Sequence, residues 1–102
     1  MLEFEVIISP TAKREIRNAL FYIANECCEP EAARLFADKL HKAITSLAQF
    51  PERYPLTTTI DSGLRGTRKI PVDSYLVFYR IHPRKHTVDI ARVLHSHSNW
   101  KN

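Results

Sequence analysis

The side chains able to do chemistry in this 102-residue chain crowd into its last four-tenths. Arg65, Arg68, Lys69, Arg80 and Arg92 supply cations, His95-Ser96-His97 supplies two imidazoles, and Trp100 supplies a large ring. Cutting RNA without a metal needs a base for the 2′-hydroxyl, an acid for the leaving oxygen and cations for the phosphate. His95 or His97 could be the base or acid, with Arg68, Arg80 and Arg92 on the phosphate. The plainer reading makes the arginines strand residues on a wet face and His95 structural. The sequence favours that reading, because it puts no evident carboxylate or lysine base beside them.

His95 and His97 also resemble a fragment of a metal site, but two histidines without a nearby Cys, Asp or Glu make a poor zinc signal. No metal and no cofactor is expected. Cys27 and Cys28 could be a nucleophile pair; they fall at an expected helix end with no adjacent histidine, so packing and capping explain them better. Trp100 could stack on a base or pocket, or fold back on the core.

The element that must organise these groups is Tyr75-Leu76-Val77-Phe78-Tyr79-Arg80-Ile81, rich in β-branched and aromatic residues and free of Gly and Pro. Tyr75, Val77, Tyr79 and Ile81 point one way, and Leu76, Phe78 and Arg80 the other. A strand apolar on both faces belongs in the middle of a sheet. The rest of the chain looks able to cover one face only, expected to be that of Leu76 and Phe78. Tyr75, Val77 and Tyr79 would then lie on an open face, and an exposed apolar patch marks an interaction site.

Around it, residues 2–8 alternate as a short strand, with Phe4, Val6 and Ile8 inward. Ser9-Pro10 suits the N-cap and first turn of a helix near 10–27, with a stripe of Ala12, Ile16, Ala19, Leu20, Ile23 and Cys27. Glu29-Pro30-Glu31 starts a second helix near 30–49, with Ala33, Phe36, Leu40, Ala43, Ile44 and Leu47 inward. Phe50-Pro51 stops it, and residues 51–63 read as a loop. Leu64 to Ile70 reads as a strand weakened by Gly66 and closed by Pro71, and 87–95 as the last strand with Val88, Ile90 and Leu94 on one face. The order is β-α-α-β-β-β: an α+β domain over residues 1–102, a mainly antiparallel four-stranded sheet with a helical hairpin on one face.

Charge is uneven. Residues 1–62 carry 7 Lys/Arg against 9 Asp/Glu, and residues 63–102 carry 8 against 2. A basic region of this kind favours nucleic acid or an acidic protein partner, or is a solvated face that aids solubility. No apolar run approaches the ~20 residues of a membrane span. The start lacks a secretory pattern, and two vicinal cysteines make no disulfide framework, so a reducing cytoplasm is the expected compartment.

Four pieces together resemble the ParE/RelE superfamily of toxins from type II toxin–antitoxin pairs. They are Ser9-Pro10-Thr11-Ala12; Leu47 to Pro51 with Tyr54-Pro55-Leu56; Gly63-Leu64-Arg65 followed by Tyr75 to Arg80; and Ile90 to His95. The resemblance implies a partner antitoxin, in a heterotetramer or larger assembly, and one of two targets. ParE-like members bind DNA gyrase and block replication, in the setting of plasmid stabilisation; RelE-like members cut messenger RNA in the ribosome. In the ribonuclease branch an arginine commonly opens the central strand, where this chain has Tyr75. Arg65, Arg68 and Lys69 could supply the basic cluster usual there, with Arg80, Arg92 and His95 completing a cleavage set. The missing arginine and the Arg92-Val93-Leu94-His95 ending tilt the resemblance toward ParE and a binding poison. On that reading Arg92, His95, His97 and Trp100 would meet the target, and Tyr75, Val77 and Tyr79 the antitoxin.

Overall fold

A computed structural model describes residues 3–57 and 64–97. The chain runs β1 (Glu5–Ile8), α1 (Pro10–Phe21), a π-helical turn (Tyr22–Glu26), α2 (Pro30–Ser46), a 3-10 turn (Pro51–Arg53), β2 (Arg68–Val72), β3 (Tyr75–His82) and β4 (Thr87–His95). The strands form one sheet in the order β1-β4-β3-β2. β1 lies parallel to β4, while β3 runs antiparallel to both β4 and β2. The order expected from the sequence is therefore the order observed.

Local chemistry accounts for the helix starts. The Ser9 hydroxyl accepts the Ala12 N–H at 3.0 Å and donates to the Ala91 carbonyl at 3.0 Å, so one side chain caps α1 and ties it to β4. Pro10 opens α1 and Pro30 opens α2, each where a missing N–H costs nothing. The stripe of α1 departs from expectation at its end. The Cys27 N–H bonds to the Tyr22 carbonyl, an i→i+5 closure that widens the last turn. That extra residue swings Cys27 off the buried stripe, and both cysteines are exposed. Cys28 ends the helix at φ 55°, and its thiol lies 3.5 Å from the Asn25 carbonyl; capping is its role and packing is not.

The main core lies between the helices and one sheet face. It joins Ala12, Ala19, Phe36, Leu40, Ile44 and Leu47 to Ile70, Val77, Tyr79, Val88, Ile90 and Val93. This corrects the facing of β3. Tyr75, Val77, Tyr79 and Ile81 look toward the helices, whereas Leu76 and Phe78 occupy the other face. The row with four large apolar side chains meets the larger partner surface. The tyrosine hydroxyl is no obstacle, because Tyr79 donates to the Pro51 carbonyl at 2.6 Å in the interior. Val77 and Tyr79 are fully buried and are not on an open face.

β4 also breaks strict alternation. Phe78 pairs with Arg92 but Tyr79 pairs with Ile90, so Ala91 is an extra residue, a β-bulge. The bulge turns Val93 inward and Leu94 outward; Leu94 does not share a face with Val88 and Ile90. β2 begins later than expected and runs through Pro71, tolerated because β2 is an edge strand. The preceding Leu64–Thr67 segment is a turn, with Gly66 at φ 76°. Thr67, fully buried, donates to the Leu64 carbonyl at 2.6 Å and so holds Leu64 down over Phe78. The second face thus carries a small apolar cluster of its own, Leu64 and Phe78 flanked by Leu76 and Leu94.

Candidate functional site

Two surfaces hold the singled-out residues, on opposite sides of the sheet. On the helix-free face, β3 projects Leu76, Phe78 and Arg80, β4 projects Arg92 and Leu94, and β2 projects Lys69 beside Phe78. Register puts Lys69, Phe78 and Arg92 in one row across three strands, with Arg80 and Asp89 in the next. Arg80 donates to the Arg65 carbonyl at 3.2 Å, fastening the turn that carries Leu64. Beside this row, at the start of α1, lies a notch of about 600 Å³ whose walls include Thr11, Arg80, Lys85, Thr87, Asp89 and Arg92.

Arg92 is fixed by a residue the sequence reading passed over. One carboxylate oxygen of Glu15 accepts from Arg92 Nε and a terminal nitrogen at 2.9 and 2.7 Å, and the other accepts the Val93 N–H at 2.8 Å. β1 pairs only as far as Ile90, so Val93 would otherwise present a bare edge N–H; α1 covers that edge and Glu15 satisfies it. Nothing in the spacing of Glu15 marks it, because its partner is 77 residues away. Asp89 is engaged by His82, at 2.8 Å from Nε2 to a carboxylate oxygen.

The other surface lies at the end of the helical layer. His95 pairs in register with Tyr75 and their rings meet edge to face at 5.2 Å; His97 approaches His95 at 5.4 Å. Tyr75 packs on Phe36 at 5.0 Å, and Tyr22, Cys27, Glu29 and Asp73 complete the walls of a cleft there. Burial chiefly, then the neighbouring Tyr22 and Cys27, raises the Tyr75 pKa above its ordinary value. Tyr22 is raised as well, first by the charge of Cys27 and then by its hydrogen bond.

The cleavage set is therefore divided. Arg68 pairs with Tyr79 on the helix side and donates to the Tyr54 and Glu52 carbonyls at 2.6 and 3.1 Å, holding the segment after the 3-10 turn. His95 sits at the Tyr75 end of that same side, while Arg80 and Arg92 look out from the opposite face. Arg65 stands on the turn over Phe78. Of the expected target-binding residues, His95 and His97 are neighbours, Arg92 is on the far face, and Trp100 lies outside the described residues.

No helix among the described residues is long and apolar enough to cross a membrane. The sequence model of a family described as the ParE toxin of the type II toxin-antitoxin system parDE matches residues 6–100. The toxin–antitoxin complex RelBE2 from Mycobacterium tuberculosis contains a chain that is 25% identical, with a TM-score of 0.61 and 93% of each chain covered. A chain of the chromosomal ParDE system from P. aeruginosa superposes with a TM-score of 0.67 at 14% identity, covering 91% of this chain and 96% of that one. No curated protein matches in sequence.

Proposed function

The chain belongs to the ParE toxin family of type II toxin–antitoxin systems, and from that membership we propose that it arrests growth by binding DNA gyrase, held in check by a cognate antitoxin. The observation that carries the gyrase reading over the ribonuclease one is the division of the cleavage set. A metal-free phosphodiesterase needs its base, acid and cations converging within hydrogen-bond reach of one phosphate. Here His95 and Arg68 are on one side of the sheet and Arg80 and Arg92 on the other. Tyr75, which stands where ribonuclease relatives carry arginine, packs on Phe36 and offers no guanidinium.

An antitoxin partner is supported by the similar solved chains, both of which come from toxin–antitoxin systems. Phe21, Tyr22 and Leu35 are each about half exposed or more on the helical layer and supply apolar area for such a partner. The cleft beside Tyr75, His95 and His97 is the first region to examine for the gyrase contact.

The deciding experiment adds purified protein to gyrase supercoiling reactions and, separately, to ribosomes loaded with message. Inhibited supercoiling with intact message is expected. Message cut at the ribosomal A site with normal supercoiling would overturn the gyrase reading, and Arg80→Ala and His95→Ala would then be the first variants to compare.

A further inference from the structure

We propose that the notch between α1 and the helix-free sheet face binds the phosphate backbone of duplex DNA, so that the toxin engages gyrase together with the DNA that gyrase holds. The inference rests on the gyrase reading for the source of the DNA, and on the notch alone for the binding.

The notch brings Arg80, Lys85 and Arg92 to one concavity of about 600 Å³. The acidic residue among its walls, Asp89, is already engaged by His82. Glu15 holds the Arg92 guanidinium in a fixed orientation while two-fifths of that side chain remains exposed. Lys85, on the exposed β3–β4 turn, makes no hydrogen bond or ion pair with the described residues. Thr11 and Thr87 add hydroxyls, and α1 turns its positive end toward the notch with no acidic residue in its first turn. Arg80 and Arg92 are diagonal neighbours across β3 and β4, roughly 7–8 Å apart at the backbone by sheet geometry. They can meet different phosphates. Lys69 extends the same cationic row across the sheet.

The face also says which nucleic acid it fits. Single strands are held by bases stacked on aromatic side chains. The phenylalanine of this face, Phe78, is fully buried under Leu64, and the His82 ring is tied to Asp89. The tyrosines of β3 face the helices. Beyond the aliphatic Ile7, Leu76 and Leu94, which offer no ring to stack on, the face presents charge and hydroxyl groups, suited to backbone contact without base readout.

The test measures fluorescence anisotropy of a labelled 20-base-pair duplex with the full chain between 50 and 200 mM salt. Three phosphate contacts predict a roughly 40-fold loss of affinity over that range. Lys85→Glu is expected to weaken binding several-fold and to lower the salt slope by about one. Lys42→Glu, on the exposed side of α2, changes net charge equally and should leave binding as it was. Equal loss from both variants, no binding at 50 mM salt, or tighter binding to single-stranded RNA of the same length would each overturn the proposal. Supercoiling assays on the same samples separate the two readings. Gyrase inhibition without duplex binding sinks the notch alone, and duplex binding with unaffected gyrase sinks the gyrase reading alone.

Discussion

At the scale of single residues, two side chains that need touch no target themselves govern whether the site exists. Tyr79 lies wholly within the core, and burial, offset in part by Arg68 and Arg53, pushes its pKa up to about 12. A folded pKa above the ordinary 10 means its contribution is complete below pH 10 and is lost as pH rises from 10 to 12. That loss amounts to roughly 2–3 kcal/mol for one such group. Tyr79→Phe should cost about 1–3 kcal/mol at neutral pH, because the Pro51 carbonyl loses its donor. The variant should also show a shallower fall in stability above pH 10, read by urea denaturation across pH. Glu15 is the second. Glu15→Ala strands the Val93 N–H and frees Arg92, an expected cost of about 1–3 kcal/mol. Glu15→Gln keeps an acceptor for Val93 and should cost less. An equal loss in both would show that the charge on Arg92, and not the strand edge, is what Glu15 serves.

Among the elements, β3 decides which surface is which. Val77→Asp buries an unpaired charge in the main core and should abolish the cooperative thermal transition. Leu76→Asp, on the partly exposed row, should fold with a lowered melting temperature. The reverse order would mean the sheet faces are assigned wrongly. Element order, both prolines at helix starts and the Ser9 cap were readable because they depend on neighbours in sequence. Two features were not. The facing of β3 depends on which apolar row meets the larger partner surface and on Pro51 accepting from Tyr79, a partner 28 residues away. The Ala91 bulge has no local signature, yet it alone sends Leu94 to the helix-free face. For the site, the cations were legible as residue types, but their division between two faces was not, since it follows from strand register. Thr67, Glu15 and Lys85 gave no sign of their roles for the same reason.

For the molecule as a whole, toxicity and stability should be linked through the antitoxin. Adding the cognate antitoxin is expected to raise the melting temperature with the logarithm of antitoxin concentration, because a partner that binds only the native state adds stability by mass action. A melting temperature indifferent to antitoxin would remove that partner. The sheet order carries a kinetic consequence as well. Among the described strands, β1 comes first in sequence and pairs only with β4, the last, which itself lies between β1 and β3. Pairings between such distant segments pay their loop-closure entropy before they are rewarded, and slow folding accordingly. Until the ribosome has made residues up to Arg92, β1 has no strand partner, the Ser9 hydroxyl has no Ala91 carbonyl to bond, and Glu15 has no Arg92 to hold in the notch. On the proposed reading the toxin lacks its binding notch through most of its translation, and an antitoxin already present can meet it as that notch first forms.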